Sequence, residues 1–418
     1  MNILLVAYSF PPLQEAQSFR WYHLSEAMAD KGVKIDVVTI QYPSVNDREW
    51  HFNENITIDR LPPGIIESLT LRAKSSLRVD ASDNKELRTT KKFRVLKQLN
   101  KGFRRAVNSF IPGDTRTDWF LSAARYLNKK VRAKKYDFMI TSHEPWVDSL
   151  LGLYVKSRNT DLKWVADFGD PYVAPYTPRH KLLIENALEE RIYKNADALI
   201  FTNASVIDHL TYKYPFLKDK NIMTIEQGFS HKFCSSLERK KEKNSRFTML
   251  YAGTFYKDFR NPTNLIKALS MLDFDYKFVM AGRSEEFLID FSVLGDKFKF
   301  LGFVDHFDIL KVESESDLLI HLSNKSEIQI PGKVYEYFGA ARPVLCIYYS
   351  PDDHAAKVIK EFDRGVSTDN SPEAIKDAIT KMYDEWRAGT AREYDNEHIY
   401  ELSYENKAEL ILKNLRNI

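Results

Sequence analysis

Two stretches in the second half of the chain hold residue types suited to binding phosphate. Pro331-Gly332-Lys333-Val334-Tyr335-Glu336-Tyr337-Phe338-Gly339-Ala340 runs from a glycine turn into a helix-like segment, then through Ala341-Arg342 to the apolar Pro343-Val344-Leu345. Gly332, Lys333 and Val334 stand at the helix start, where backbone N–H groups are unpaired and the dipole is positive. Lys333 adds a full positive charge there. Glu336, one turn on, is placed to accept from ribose hydroxyls. Upstream, Tyr251-Ala252-Gly253-Thr254, followed by Lys257 and Arg260, is a second strand-to-helix loop with cations at hand. Two such loops and a carboxylate make a cradle for a nucleotide diphosphate. The plainer alternatives are a solvated i,i+3 pair for Lys333 and Glu336 and an ordinary helix start for Arg260.

Elements that can position these residues recur along the chain. Ile3–Tyr8 is an apolar run leading through a proline loop into an amphipathic helix, Ser18–Lys31, and after Gly32 comes a second strand, Lys34–Ile40. Strand, loop, helix and strand in that order open a parallel, doubly wound sheet. Further strands are expected at Phe138–Thr141, Lys163–Asp167, Ala198–Thr202 and Asn221–Ile225. The pattern restarts at Phe247–Tyr251, with a helix over Pro262–Leu272 and strands at Tyr276–Ala281, Phe298–Leu301, Leu318–Leu322 and Pro343–Ile347. The charged, apolar-poor stretch Leu237–Arg246 reads as a linker. The expected organisation is a first domain over 1–236, a linker over 237–246, a second domain over 247–394 and a terminal helix within 395–418 that crosses back to the first domain.

The length of 418 residues favours two domains over one core. Cys234 and Cys346 are the only cysteines, which excludes a disulfide framework and a cysteine-rich zinc site. The opening apolar run lacks a basic leader, and no stretch is long enough to span a bilayer, so a cytoplasmic protein is expected. Charge is uneven: residues 71–135 hold nineteen Lys/Arg against five acids, although the formal net charge is only +3. Within Phe93–Ile111, Leu96, Leu99, Phe103, Val107 and Phe110 recur at helical spacing beside Lys97, Lys101, Arg104 and Arg105. That pattern suits an anionic membrane surface, and equally a core-facing helix with a solvated basic face. No nucleic-acid partner is expected, because aromatic interleaving and nucleic-acid motifs are missing.

These residues resemble glycosyltransferase family 4 over nearly the whole chain. SFPPLQEAQSFRWYHLSEAMADKG looks like that family's first strand, loop and helix, with Arg20 at its usually basic position. Ile111-Pro112-Gly113-Asp114 followed by Trp119, the Trp164–Pro171 stretch (WVADFGDP) and Glu226-Gln227-Gly228-Phe229 match further elements in order. LYAGTFYKDFRNP, MAGRS with Gly282, and PGKVYEYFGAARPVL match the donor-binding half. There are departures. Ile328 stands where the first of two paired glutamates is usual, Gly169 where arginine is common, Gln227 where asparagine is common, and Gln14-Glu15-Ala16 replaces a glycine pair.

The resemblance implies an α/β protein of GT-B architecture, two Rossmann-like doubly wound domains facing each other across a cleft. It also implies sugar transfer with retention from a nucleotide-diphosphate sugar, used as co-substrate with no further cofactor, to a glycan or lipid-linked acceptor. Such transfer throws negative charge onto the departing phosphate, so fixed cations are the main lever. Arg260 and Lys333, with Lys257 behind them, fill that role in a metal-independent site. His143, in Ser142-His143-Glu144-Pro145, is placed to contact the transferred sugar, and Arg20, Asp114 and Asp170 the acceptor. The expected setting is bacterial surface polysaccharide or lipopolysaccharide synthesis at the inner face of the cell membrane. The rival readings are a nucleotide-sugar 2-epimerase of the same fold and a non-catalytic sugar-nucleotide-binding subunit. A dinucleotide oxidoreductase is disfavoured, because neither half shows G-x-G-x-x-G after its first strand.

Overall fold

A computed structural model describes residues 1–42, 50–68, 102, 113–169, 173, 177–237, 244–256, 260–282, 290–325 and 332–418. They divide into two compact units, Met1–Glu226 with Ala408–Ile418, and Gln227–Lys407.

The first unit is built on β1 (Asn2–Val6), β2 (Lys34–Ile40), β3 (Ile56–Leu61), β4 (Phe138–His143), β5 (Lys163–Phe168), β6 (Ala198–Phe201) and β7 (Asn221–Thr224). They form one sheet in the order β3-β2-β1-β4-β5-β6-β7, with every pairing parallel. Every residue of β4 is buried, as expected of a central parallel strand covered on both faces. The helices are α1 (Ala16–Asp30), α2 (Phe120–Ala133), α3 (Trp146–Lys156), α4 (Leu182–Asn195) and α5 (Ala204–Lys213). Leu4, Val6, Met139, Trp164, Leu199 and Phe201 from the sheet pack with Trp119, Leu127, Leu151 and Tyr193. Strand order reverses between β1 and β4, so the loops after them diverge and open a crevice at the carboxyl ends, the usual ligand position in such sheets.

The second unit repeats the plan. Its strands are β8 (Phe247–Ala252), β9 (Tyr276–Ala281), β10 (Phe298–Gly302), β11 (Leu318–Leu322), β12 (Val344–Tyr348) and β13 (Gly365–Asp369). They are ordered β10-β9-β8-β11-β12-β13 and paired in parallel. The reversal here falls between β8 and β11. The helices are α6 (His231–Ser236), α7 (Thr263–Ser270), α8 (His306–Glu315), α9 (Lys333–Gly339), α10 (His354–Glu361), α11 (Pro372–Ala388) and α12 (Tyr404–Leu415). A 3-10 turn over Glu397–Leu402 precedes α12, so the helix expected within 395–418 is interrupted at Ser403. From Ala408 onward α12 groups with the first unit, where Glu409 pairs with Lys31 at 2.6 Å.

The amphipathic pattern over 93–111 lies outside the described residues, except for Gly102, as do 238–243 of the charged stretch. Further along the basic segment, lysines are already partnered. Lys130 bridges Asp36 and Asp59 at 3.1 and 2.7 Å, and Lys134 reaches Asp36 at 2.9 Å. Their charge is therefore partly neutralised within the fold. Among the described residues no helix is long and apolar enough to cross a membrane.

Candidate active site

In the second unit the loops after β8 and β9 lie back to back. The Gly253 N–H donates to Ala281 O at 2.8 Å and the Gly282 N–H to Gly302 O at 2.7 Å. Gly282 has φ +141°, and a Cβ there would stand 1.9 Å from Gly253 O. Glycine at 282 is thus required by the approach of the neighbouring loop. Its place in the second unit is to seat the Gly253-Thr254 turn. Tyr256 and Arg260 exchange backbone hydrogen bonds at 3.0 and 3.1 Å, closing the loop that contains Lys257; Lys257 itself lies outside the described residues.

Arg260 turns its guanidinium to the carboxyl end of β11, where Nε and Nη2 donate to Asn324 Oδ1 at 3.0 and 2.7 Å. His321, near the end of the same strand, is buried, and that burial, with Arg260 nearby, lowers its pKa to about 3. Burial pushes the Tyr251 hydroxyl up to about 12 against the pull of both Arg260 and Lys333, so the two cations lie within electrostatic reach of one ring. Tyr337 ties α9 to the end of β8: its hydroxyl accepts from Ala252 N at 2.9 Å.

Lys333 starts α9, a helix of only seven residues. Its ammonium lies 3.0 Å from Glu313 Oε1 on α8 and pairs with Glu336 one turn on. Burial opposes the charge on Lys333, but the negative charge shared by Glu313 and Glu336 outweighs it and holds the ammonium well above its ordinary range. Lys333 and Glu336 are 28% and 17% exposed, whereas Glu313 is 0% exposed. Val334 is buried in the core, so only its backbone is available to a ligand. Gly332 packs on Gln227, whose Cγ would lie 3.0 Å from an added Cβ. Ile328 and Glu327 lie outside the described residues.

In the first unit His143 ends β4, with Nδ1 3.2 Å from Ser149 Oγ. Burial first, and Arg116 second, lower its pKa to about 3. The imidazole is therefore neutral in the physiological range, able to hydrogen-bond but a poor proton acceptor. Asp114 caps the turn Thr115–Trp119 by accepting from Arg116 N at 2.8 Å and from Arg116 Nε at 2.7 Å. That places Arg116 5.9 Å over the Tyr8 ring, where its charge is felt by Tyr8, His143 and Asp148. The carboxylate expected to meet an acceptor directly is thus occupied in orienting Arg116. Nothing in the spacing marked Arg116, which reads as one cation among many in the basic segment.

Arg20 requires a correction. It is 0% exposed, and its guanidinium donates to Asp167 at 3.1 Å and to the carbonyls of Ile225 and Glu226, each at 2.8 Å. Asp167 also accepts from Trp21 Nε1 and Gln17 Nε2, both at 2.9 Å. A side chain with no exposed surface and its donors so occupied does not meet an acceptor. It joins α1, β5 and the segment after β7. Asp170 lies outside the described residues. Among the described residues no cluster of His, Cys, Asp and Glu is arranged to hold a metal ion.

Two parallel sheets, each reversing its strand order beside the first strand, make this a two-domain Rossmann-like fold of the GT-B type. Residues 235–398, nearly all of the second unit, match the family model described as glycosyl transferases group 1. No curated protein matches the sequence at a significant level. Among solved structures, sucrose-phosphate synthase from Thermosynechococcus elongatus superposes with a TM-score of 0.65 at 15% identity, over 100% of this chain and 98% of that one. WaaG, a glycosyltransferase involved in lipopolysaccharide biosynthesis, gives 0.54 at 12% identity, over 98% and 99%. A putative UDP-N-acetylglucosamine 2-epimerase from Listeria monocytogenes gives 0.53 at 11% identity, over 98% and 94%. At these identities the likeness is one of fold.

Proposed function

We propose that the chain transfers a sugar from a nucleotide-diphosphate sugar to a hydroxyl of a glycan or lipid-linked acceptor, with retention of anomeric configuration. The observation that carries this reading lies in the segment matching the transferase family: the charges of Arg260, after β8, and Lys333, at the start of α9, are both felt at Tyr251 near the carboxyl end of β8, with Glu336 one turn beyond Lys333. Breaking the anomeric C–O bond leaves an oxocarbenium-like sugar and puts negative charge on the departing diphosphate. Two preset cations stabilise that charge as it forms, the work a divalent ion does at other phosphate sites. Glu336 accepts from ribose hydroxyls when the phosphate draws Lys333 away.

The neutral His143 suits a hydrogen bond to a sugar hydroxyl better than proton abstraction. In this reading the departing phosphate oxygen takes the acceptor proton on the same face. The basic excess of residues 71–135 supports work at the inner, anionic face of the cell membrane, on an acceptor of surface polysaccharide or lipopolysaccharide type.

A thermal-shift panel of UDP, GDP, ADP, CMP and their common sugar conjugates tests the donor half. A ligand that binds the native state raises its melting temperature. One nucleotide diphosphate is expected to stabilise the wild type and to stabilise Glu336→Ala and Lys333→Met much less. No shift with any of them at about 100 times a micromolar Kd, where a bound ligand contributes ~2.7 kcal/mol, would overturn the reading.

A further inference from the structure

Helices α8 and α9 each bring a carboxylate to one ammonium. Glu313, wholly buried on α8, has Oε1 3.0 Å from Lys333 Nζ, and Glu336 meets the same nitrogen from within α9. With both acids ionised the pocket would hold two negative charges against one positive. Burial penalises that surplus, and the state of lower free energy puts a proton on the more deeply buried carboxyl.

Glu313 fits that description. Burial pushes it well above the usual carboxylate range; Lys333 opposes the rise and Glu336 adds to it. Glu336 is instead held low, because the Lys333 ammonium outweighs its own burial. Among the described residues, the other titratable groups coupled to the cluster include Tyr251 on β8, raised to about 12 by burial, and His306 on α8, Cys234 on α6 and Tyr337 on α9. Burial lowers His306 to about 4 and pushes the thiol and the Tyr337 phenol upward, so all four are uncharged near neutral pH. Lys333, Glu336 and Glu313 therefore set the charge of this pocket.

We propose that Glu313 is a positioning residue for the donor: carrying a proton, it anchors Lys333 through its carboxyl while leaving Glu336 as the only charge that competes with a diphosphate for the ammonium. Glu313 has no exposed surface and does not touch the ligand. The inference rests on the donor reading above. When Glu313 ionises, two carboxylates compete with the phosphate for Lys333, and the donor is held less tightly. Donor affinity is thus linked to the proton on Glu313, falling by up to about tenfold per pH unit above the folded-state pKa of that group. Glu313→Gln keeps the shape and stays neutral at every pH.

Two measurements test this. The first uses the full chain without ligand, comparing the unfolding midpoints of wild type and Glu313→Gln across pH. A native carboxyl that keeps its proton while the unfolded one loses it makes stability fall as pH rises above about 4.3. The advantage of Glu313→Gln over wild type is expected to grow over that range, and a constant difference would overturn the protonated state. The second is calorimetric titration with UDP-glucose, GDP-mannose and ADP-glucose from about pH 5.5 to beyond the pH at which that stability advantage stops growing, which marks the ionisation of Glu313 in the folded chain. Wild-type affinity for the probe that binds is expected to weaken with pH, whereas Glu313→Gln binds as tightly as wild type at low pH and shows no such trend. Glu313→Ala, which lacks the carboxyl anchor, is expected to bind at least about tenfold more weakly throughout. An unchanged pH trend in Glu313→Gln, or none in wild type, would overturn the positioning role. If no probe binds wild type at any pH, the donor reading fails and the positioning role with it, while a persisting pH-dependent stability difference would show that the cluster itself was read correctly.

Discussion

Replacing Arg20 by methionine removes a cation from a site with no exposed surface and leaves Asp167, among the described residues, with the neutral donors Trp21 and Gln17. The carbonyls of Ile225 and Glu226 lose their partners at the same time. Breaking one side of a buried ion pair costs about 3–5 kcal/mol, because the other charge stays behind uncompensated. With a urea m-value of about 2–3 kcal/mol per M for a unit of this size, the midpoint falls by roughly 1–2 M. Tryptophan fluorescence suits the assay, because Trp21, Trp50, Trp119, Trp146 and Trp164 belong to the first unit and only Trp386 to the second. Asp167→Asn should show a loss of the same order, and the double variant should lose less than the sum by up to about 3 kcal/mol. A loss below about 1 kcal/mol, the range of exposed pairs, would contradict the structural role. If sugar transfer were nonetheless abolished in such a stable variant, Arg20 would have to be returned to the acceptor.

Two further outcomes follow from packing and burial. Gly282→Ala drives a Cβ into Gly253 O at a positive φ and is expected to destabilise the second unit by at least about 1–3 kcal/mol, read from its unfolding midpoint; an unchanged midpoint would refute the back-to-back packing of the two loops. Burial lowers His143, His306 and His321 to about 3, 4 and 3, so each takes up a proton more readily unfolded than folded. Stability should fall with acidification from about pH 6.5 down towards those values, by about 1.4 kcal/mol per unit for each histidine. His143→Gln should flatten the acid limb of a pH–stability curve, and a variant as steep as wild type would show that His143 is not buried neutral.

The strands most legible in the sequence were the central ones. β1, β4, β8 and β11 are covered on both faces and so read as continuous apolar runs. The edge strands β3 (ITIDRL) and β13 (GVSTD) escaped that reading, because each is only partly buried along most of its length and neither has a strong apolar period. Motif residues were legible as motifs, but their partners were not. Arg20 and Asp167 stand 147 positions apart, and no local pattern states that each is consumed by the other. Asp114 reads as an acceptor contact and Arg116 as one cation among many until the cap between them is seen. Glu313 is the clearest case. In His306–Glu315 it is one of several acids on a helix with a modest apolar face, and only the packing of α9 onto α8 takes it out of water.

The most direct test of sugar transfer follows a labelled sugar. The chain is incubated with the nucleotide sugar that stabilises it, radiolabelled in the sugar, with and without lipid and glycan fractions from a bacterial envelope. Label is expected to move to an acceptor only when the fractions are present, and Lys333→Met, folded to the wild-type melting temperature, should lower the rate at least about 100-fold. Conversion of the donor sugar without any acceptor would make the chain an epimerase. A donor bound and returned unchanged, in every fraction tried, would contradict catalysis and leave a sugar-nucleotide-binding protein.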